Sequence, residues 1–199
     1  MIYVRGAGSI IAKALEKFHR IVPVRRGNQM PDDGERYLFC VGIIRQARIS
    51  YQTEDEVAET FLVNTARVIR ECDRLLVANE RARICLMGSD SAFKWSFDGA
   101  YAASKAALHR YVETKRLKYP GQQLVCVAPS CIEGSAMNLR RNADGKRALD
   151  ERIKSHPKRR LIQPIEVARM VHHLLCVDEG YTSGIVIRMN GGEHCGDRW

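Results

Sequence analysis

Tyr101 and Lys105 stand four residues apart, a spacing that puts a phenol and an ammonium on one face of a helix. Such a pair can exchange a proton with an alcohol or carbonyl oxygen. The nearby cation favours the tyrosinate and draws the phenol from its ordinary pKa of about 10 towards working pH. Ser89, at the end of an apolar run, offers a hydroxyl to hold the same oxygen. A second pair of the same spacing, Tyr111 and Lys115, follows ten residues on. Ten residues rotate a helix by roughly 280°, so the two pairs point in different directions. The first encloses Ala102, Ala103 and Ser104 and precedes Ala106-Ala107-Leu108, small residues that admit a flat ligand or another backbone; the second lies among Arg110, Glu113 and Arg116, a solvated face. The chemistry is therefore assigned to Tyr101.

These groups need elements to hold them. Residues 2–5 predict a strand, Gly6-Ala7-Gly8-Ser9 a turn, and residues 10–19 a helix with Ile10, Ile11, Ala14, Leu15 and Phe18 at helical spacing. Residues 20–24 predict a second strand, and 29–35 a polar loop. Residues 36–44 hold Tyr37-Leu38-Phe39-Cys40-Val41-Gly42, an apolar run suited to a strand buried on both faces. Thr53 with Glu56 forms a capping box that opens a long helix through Phe61, Leu62, Ile69 and Leu76, and that helix carries Asn64. A strand at 83–87 leads to Gly88-Ser89, a helix at 99–118 carries Tyr101, and a strand at 123–128 closes at Pro129-Ser130. Residues 131–161 read as a polar, mobile flap over the site; Pro164 starts a further helix, and 184–190 is the last strand. Strands alternating with helices predict parallel βαβ units in a three-layer α/β/α Rossmann-like sandwich around a doubly wound sheet.

The bulk numbers narrow the class. With 199 residues and 45% hydrophobic content, one core and a single domain over residues 1–199 are expected. No stretch approaches eighteen consecutive apolar residues, and Met1-Ile2-Tyr3-Val4-Arg5-Gly6 lacks the regions of a signal peptide, so the expectation is a soluble cytoplasmic protein without a membrane partner. Seven cysteines without Cys-x-x-Cys spacing read as reduced core residues. The adjacent His172-His173 diverge by about 100° on a helix and cannot close on one ion without other help, and His194-Cys195 has no zinc-type spacing, so no metal site is expected. The net charge of +9 is spread over Arg67, Arg70, Arg74, Arg81, Arg83, Arg140-Arg141 and Lys158-Arg159-Arg160, without the aromatic interleaving of a single-strand platform. Nucleic acid is not the favoured partner.

Several segments together carry a resemblance: Phe61-Leu62-Val63-Asn64, Ile84-Cys85-Leu86-Met87-Gly88-Ser89, Ala100-Tyr101-Ala102-Ala103-Ser104-Lys105-Ala106-Ala107-Leu108, Val127-Ala128-Pro129-Ser130-Cys131-Ile132, Pro164-Ile165-Glu166-Val167-Ala168, and Tyr181-Thr182-Ser183-Gly184 leading to Asn190-Gly191-Gly192. In order and spacing they resemble the short-chain dehydrogenase/reductase family, from about residue 53 to 192. The resemblance implies a catalytic set of Asn64, Ser89, Tyr101 and Lys105. Tyr101 would move the proton, Lys105 would hold the nicotinamide ribose and favour the tyrosinate, Ser89 would orient the substrate oxygen, and Asn64 would position a relaying water. The family's serine stands thirteen residues before its tyrosine; Gly88 occupies that position here, and Ser89, at twelve, takes the role with Ser91 as second candidate.

The same resemblance implies a nicotinamide cofactor. Gly6, Gly8, Ser9 and Ile10 form a shortened glycine turn opening a helix for the pyrophosphate, with Ile11 at about the place of the family's last glycine. Gly42, Pro129 and Ile132 join the cofactor-facing positions, the backbone near the last two anchoring the carboxamide. The family's strand-helix segment is missing between Arg26 and Glu35, which predicts about six strands, one edge strand fewer, and an open adenosine site. Arg25 and Arg26 stand where a 2′-phosphate would lie and favour NADP, with NAD the other possibility. The implied function is an NADP(H)-dependent oxidoreductase that transfers a hydride between nicotinamide and a carbonyl or secondary alcohol, as a homodimer or homotetramer. Phe93, Trp95, Phe97 and Met137 read as pocket walls, with core plugs or subunit contacts the equal alternative for the aromatic residues. The alternative is a catalytically weak or inactive nucleotide-binding or scaffold protein of the same fold with a basic partner-binding surface.

Overall fold

Six short apolar runs pair side by side into one parallel sheet in a computed structural model that describes residues 1–94, 96–139 and 143–193. Trp95, Arg140-Arg141 and His194-Cys195 lie outside the described residues. The strands are β1 (Ile2–Arg5), β2 (Ile21–Val24), β3 (Arg36–Phe39), β4 (Arg83–Met87), β5 (Gln123–Pro129) and β6 (Ile185–Met189), in the order β2-β1-β3-β4-β5-β6. Every pairing is parallel. Alternate residues of β4 show why both faces are apolar: Cys85 and Met87 enter one core with Val125 and Val127, whereas Ile84 and Leu86 enter the other with Leu124 and Cys126. Helix α1 (Ile10–Leu15) and helix α7 (Pro164–His172), which runs on through a π turn (His173–Val177), cover the first face. The second is covered by α3 (Arg67–Ala78) and α4 (Gly99–Thr114).

Chain order along the sheet reverses between β1 and β3, so their carboxyl ends bound the crevice where ligands of open α/β sheets bind. The close approach there explains Gly6. At φ +87° its backbone is left-handed, and an added Cβ would lie 2.4 Å from the Cys40 carbonyl oxygen. The last ladder bond of β3 is Cys40 N–H to Arg5 O at 2.8 Å. Beyond it the chain turns towards the next helix, so the strand expected over 36–44 stops at Phe39. Helix α1 likewise ends at Leu15 rather than at residue 19, where Phe18 N–H tightens onto Leu15 O at 2.9 Å. The capping box is present: Thr53 and Glu56 exchange side-chain and backbone bonds at the start of α2 (Glu54–Phe61), which passes through a π turn (Leu62–Ala66) into α3.

Where the family's additional strand and helix are missing, residues 25–35 cross from β2 over β1 to β3 without a helix of their own. This crossing is stapled. The Arg5 guanidinium donates to the carbonyls of Arg25 and Asn28, each at 2.6 Å. Met30 is 1% exposed and fills the core beside Tyr37, Phe39 and α3. Its amide donates to Glu71 Oε1 at 2.5 Å, an oxygen that also meets Arg74 at 3.2 Å. Removing that acceptor leaves a half-buried amide unpaired, so Glu71→Ala is expected to lower unfolding stability by about 1–3 kcal/mol. A urea midpoint unchanged from wild type would show that the crossing does not depend on this staple.

Candidate active site

Four segments deliver side chains to the carboxyl ends of the central strands: the turn after β1, the chain following β3, the loop after β4, and α4. Asp98 starts α4. Its Oδ1 accepts from Tyr101 N–H at 2.9 Å, capping the helix and fixing the turn that carries the phenol. The same carboxylate holds Gln52 through Oδ1 and the Arg45 amide through Oδ2, so the 45–52 loop is tied to the helix start. Tyr101 is buried, and Ser89 is near enough to its phenol to favour the ionised form. Ser89 Oγ lies 2.5 Å from Ser91 Oγ. Of the two candidate serines, Ser89 is the one whose hydroxyl acts on the Tyr101 phenol.

One helical turn on, the Lys105 ammonium sits 5.9 Å from the centre of the Tyr101 ring. It donates to Met87 O at 2.8 Å and Val41 O at 3.2 Å. Two of its three N–H bonds are therefore used and one is left. Burial pulls its pKa down to about 8 and pushes that of Tyr101 up to about 12, the latter opposed by the nearby Ser89 hydroxyl. This corrects the expectation that Lys105 draws the phenol downward. The ammonium is turned to the two carbonyls, and desolvation of the phenolate outweighs it. Tyr101 is consequently a protonated acid across the working range.

Asn64 lies in the π turn between α2 and α3, fully buried. Its Oδ1 accepts from Ile43 N–H at 2.7 Å while its Nδ2 donates to Ile43 O and Ser104 Oγ, each at 3.0 Å. It clamps the strand exit rather than pointing at Tyr101. Gly42 lies between the two groups: a Cβ there would come 3.4 Å from Lys105 Nζ and 3.5 Å from Asn64 Oδ1. Pro129 ends β5, and Ile132 bridges to Ile162, with its carbonyl accepting from Asn138 Nδ2 at 2.7 Å. At the other end of the crevice Ser9 caps α1, its Oγ accepting from Ala12 N–H at 3.1 Å. Ile11 is turned into the core with Ile2 and Val4, away from the turn that its branched side chain would otherwise obstruct. Arg25 and Arg26 are exposed beyond β2 and make no ion pair among the described residues. The competing pair is accounted for as well: Tyr111 and Lys115 both meet Asp73 Oδ1, at 2.7 and 2.6 Å, and brace α4 against α3.

The family described as Enoyl-(Acyl carrier protein) reductase matches residues 37–194. The chain belongs to the short-chain dehydrogenase/reductase family. It is 30% identical over 154 residues to the 3-oxoacyl-[acyl-carrier-protein] reductase MabA of Mycobacterium bovis, a match that covers 73% of this chain and 58% of the relative. The chain thus spans less than two-thirds of the length of that curated relative. Among solved structures it is similar to a short chain dehydrogenase/reductase family oxidoreductase from Burkholderia thailandensis, at 17% identity and TM-score 0.83 over 99% of this chain and 93% of the other. A glucose/ribitol dehydrogenase of the same family from Brucella melitensis aligns at 21% identity and TM-score 0.82 over 98% and 96%.

For a short-chain dehydrogenase/reductase the serine is one residue late, and the structure gives the reason. The imidazole of His109, on α4, fills the space beside Gly88: a Cβ on Gly88 would lie 2.2 Å from His109 Nε2 and 2.7 Å from Cys126 Sγ. That ring accepts the Ser89 amide at 3.3 Å and packs on Phe93, itself covered by the Arg188 guanidinium 4.2 Å away. Burial and the nearby Lys105 hold His109 down to about 4, which keeps it neutral and able to accept. Sequence reasoning missed His109, because nothing local links it to a serine twenty residues earlier. Asp98 was also missed, although an aspartate directly before a helix start is a readable cap signal. Phe93 thus belongs to a stack under the serine rather than to a free pocket wall, and Phe97 is half exposed near Arg48. Met137 meets the loop of residue 46 through its carbonyl, which accepts from Gln46 Nε2 at 2.6 Å.

The segment expected to be a mobile flap contains α5 (Ala136–Leu139) and α6 (Ala143–Ser155). It is anchored. Arg152 donates to both Glu193 oxygens, at 2.9 and 2.7 Å, and Glu193 pairs with Lys94, which pairs with the buried Asp90. Asp90 in turn meets Arg188 and Asn190 at 3.1 and 3.2 Å, joining the loop after β4 to the end of β6.

Proposed function

We propose that the chain is an NADP(H)-dependent reductase of a carbonyl substrate, with Tyr101 as the proton donor. The observation that carries this reading is the gathering of Ser89, Tyr101 and Lys105 at the carboxyl ends of the strands beside the chain reversal, with the Lys105 ammonium 5.9 Å from the Tyr101 ring. The residues present fit a dinucleotide. In the first turn of α1 the amides of Ile10 and Ile11 have no intrahelical acceptor, Gly8 has open space beside it, and Ile11 is withdrawn into the core. The remaining N–H of Lys105 suits a ribose hydroxyl, and Arg25 and Arg26 suit a 2′-phosphate. When bound, the cofactor supplies the hydride.

The chain's own residues do the rest. Ser89 donates to the carbonyl oxygen and Tyr101 delivers the proton to that oxygen as it becomes an alcohol. Burial pushes the Tyr101 phenol up to about 12 and so keeps it in the protonated form that donates to the oxygen during reduction. Asn64 keeps Gly42 and Ile43 in place beside Lys105. The name of the mycobacterial relative puts 3-oxoacyl thioesters first among the carbonyls to assay. The exposed Ala103 and Ala107 give α4 a smooth outer face on which a second copy can pack, in keeping with a homodimer or homotetramer.

The lysine supplies a pH test. Its charge is present below about 8 and lost above, so kcat/KM for NADPH is expected to be level up to about pH 8 and then to fall about tenfold per pH unit. Lys105→Arg, which stays charged, is expected to move that falling limb out of the measured range. A limb unchanged by the substitution would assign it to another group. Carbonyl-dependent NADPH oxidation by the wild type is the direct assay, and its absence with every carbonyl class tested, 3-oxoacyl thioesters included, would overturn the reading.

A further inference from the structure

At the amino-terminal edge of the sheet, away from Tyr101, three ligand-type side chains from two elements meet. His19 lies in the turn between α1 and β2, His172 ends α7, and Cys176 follows four residues later in the π turn, so helical winding brings it back to the same side. One ligand atom from each lies within 4.8 Å of the other two, with Cys176 Sγ 3.9 Å from His19 Nδ1. The two imidazole rings are 5.8 Å apart. Tetrahedral zinc, with bonds of about 2.3 Å to sulfur and about 2.0 Å to nitrogen, sets sulfur and nitrogen roughly 3.6 Å apart. The sulfur–nitrogen pair is a few tenths of an ångström wider than that, and the other ligand atoms, within 4.8 Å of one another, would draw in as the ion binds.

The adjacent His172-His173 pair does diverge as expected, and His173 is exposed. The help it lacked comes instead from His19 and Cys176. We propose that His19, His172 and Cys176 bind one zinc-class divalent ion, with a water completing the tetrahedron. Two imidazoles and one thiolate match a borderline-soft ion and not magnesium or calcium. On binding, the Cys176 S–H bond breaks, its proton goes to solvent and the thiolate takes the place of one water on the ion. Arg36 and Arg83 donate to Leu175 O and Leu174 O and so fix the backbone of the turn that carries Cys176. The ion would pin the turn after α1 to the end of α7, two elements that already share one core. This proposal does not rest on the reductase reading, and its test uses no turnover.

Cobalt titration of the reduced 199-residue chain tests it, because Co²⁺ bound by a thiolate gains a near-ultraviolet charge-transfer band. The expected result is a band that saturates at one equivalent, and a thermal midpoint raised by zinc. Cys176→Ser is expected to abolish the band and to weaken zinc binding by more than about 100-fold, whereas His173→Ala and Cys131→Ser leave both unchanged. Should Cys176→Ser fail to fold by circular dichroism, His172→Gln serves in its place and is expected to weaken binding similarly. No band in the wild type, or a band that survives in folded Cys176→Ser or an undiminished affinity in His172→Gln, would overturn the site.

Discussion

Replacing Tyr101 by phenylalanine is expected to lower kcat for carbonyl reduction by about 10²- to 10⁴-fold, the usual share of a positioned proton donor, and to leave NADPH affinity nearly unchanged. Only the hydroxyl is removed. The ring keeps its buried position, and Lys105 keeps its bonds to Met87 O and Val41 O, which do not involve the phenol. Ser89 retains Ser91 as a partner. Single-turnover kinetics together with a calorimetric titration of NADPH separate the two effects. Turnover by the variant equal to that of wild type would place the acid elsewhere.

The second large effect concerns position 88. Restoring the family's serine there by Gly88→Ser would drive its Cβ to 2.2 Å from His109 Nε2 and 2.7 Å from Cys126 Sγ, both held in a packed interior. Overpacking of that kind is expected to cost about 3 kcal/mol. Adding His109→Ala to the same chain empties the space and is expected to recover much of the loss, a coupling that a double-mutant cycle measures. Strictly additive effects of the two changes would show that the imidazole yields freely and does not dictate where the serine stands.

The local part of the site was legible because four-residue spacing on a helix is written directly in the chain. Tyr101 and Lys105 needed nothing more, and the choice against Tyr111 followed from its charged neighbours, set against the small residues around Tyr101. What the sequence could not show were relations between distant segments. The strand expected through residue 44 stops early because only the partner carbonyl of Arg5 and the amide of Asn64 decide where the ladder ends. Met30 sits alone in a polar stretch, so no periodicity marked it as a core residue. The lowering of the Tyr101 pKa was expected from its neighbour in sequence, but the direction in which Lys105 points is set by two carbonyls on other elements. His19 and Cys176 are separated by most of the chain, and only the packing of α1 on α7 brings them together.

The crossing from β2 to β3 has a consequence for the company the molecule keeps. Among the described residues no strand lies outside β2, which forms the rim of the sheet, and a bare rim invites strands of other molecules to add to it. Pro23 stands in that strand, exposed, and withholds an amide that an incoming chain would need. The shortened architecture thus carries its own guard against edge-to-edge aggregation at the place where the missing strand would have lain.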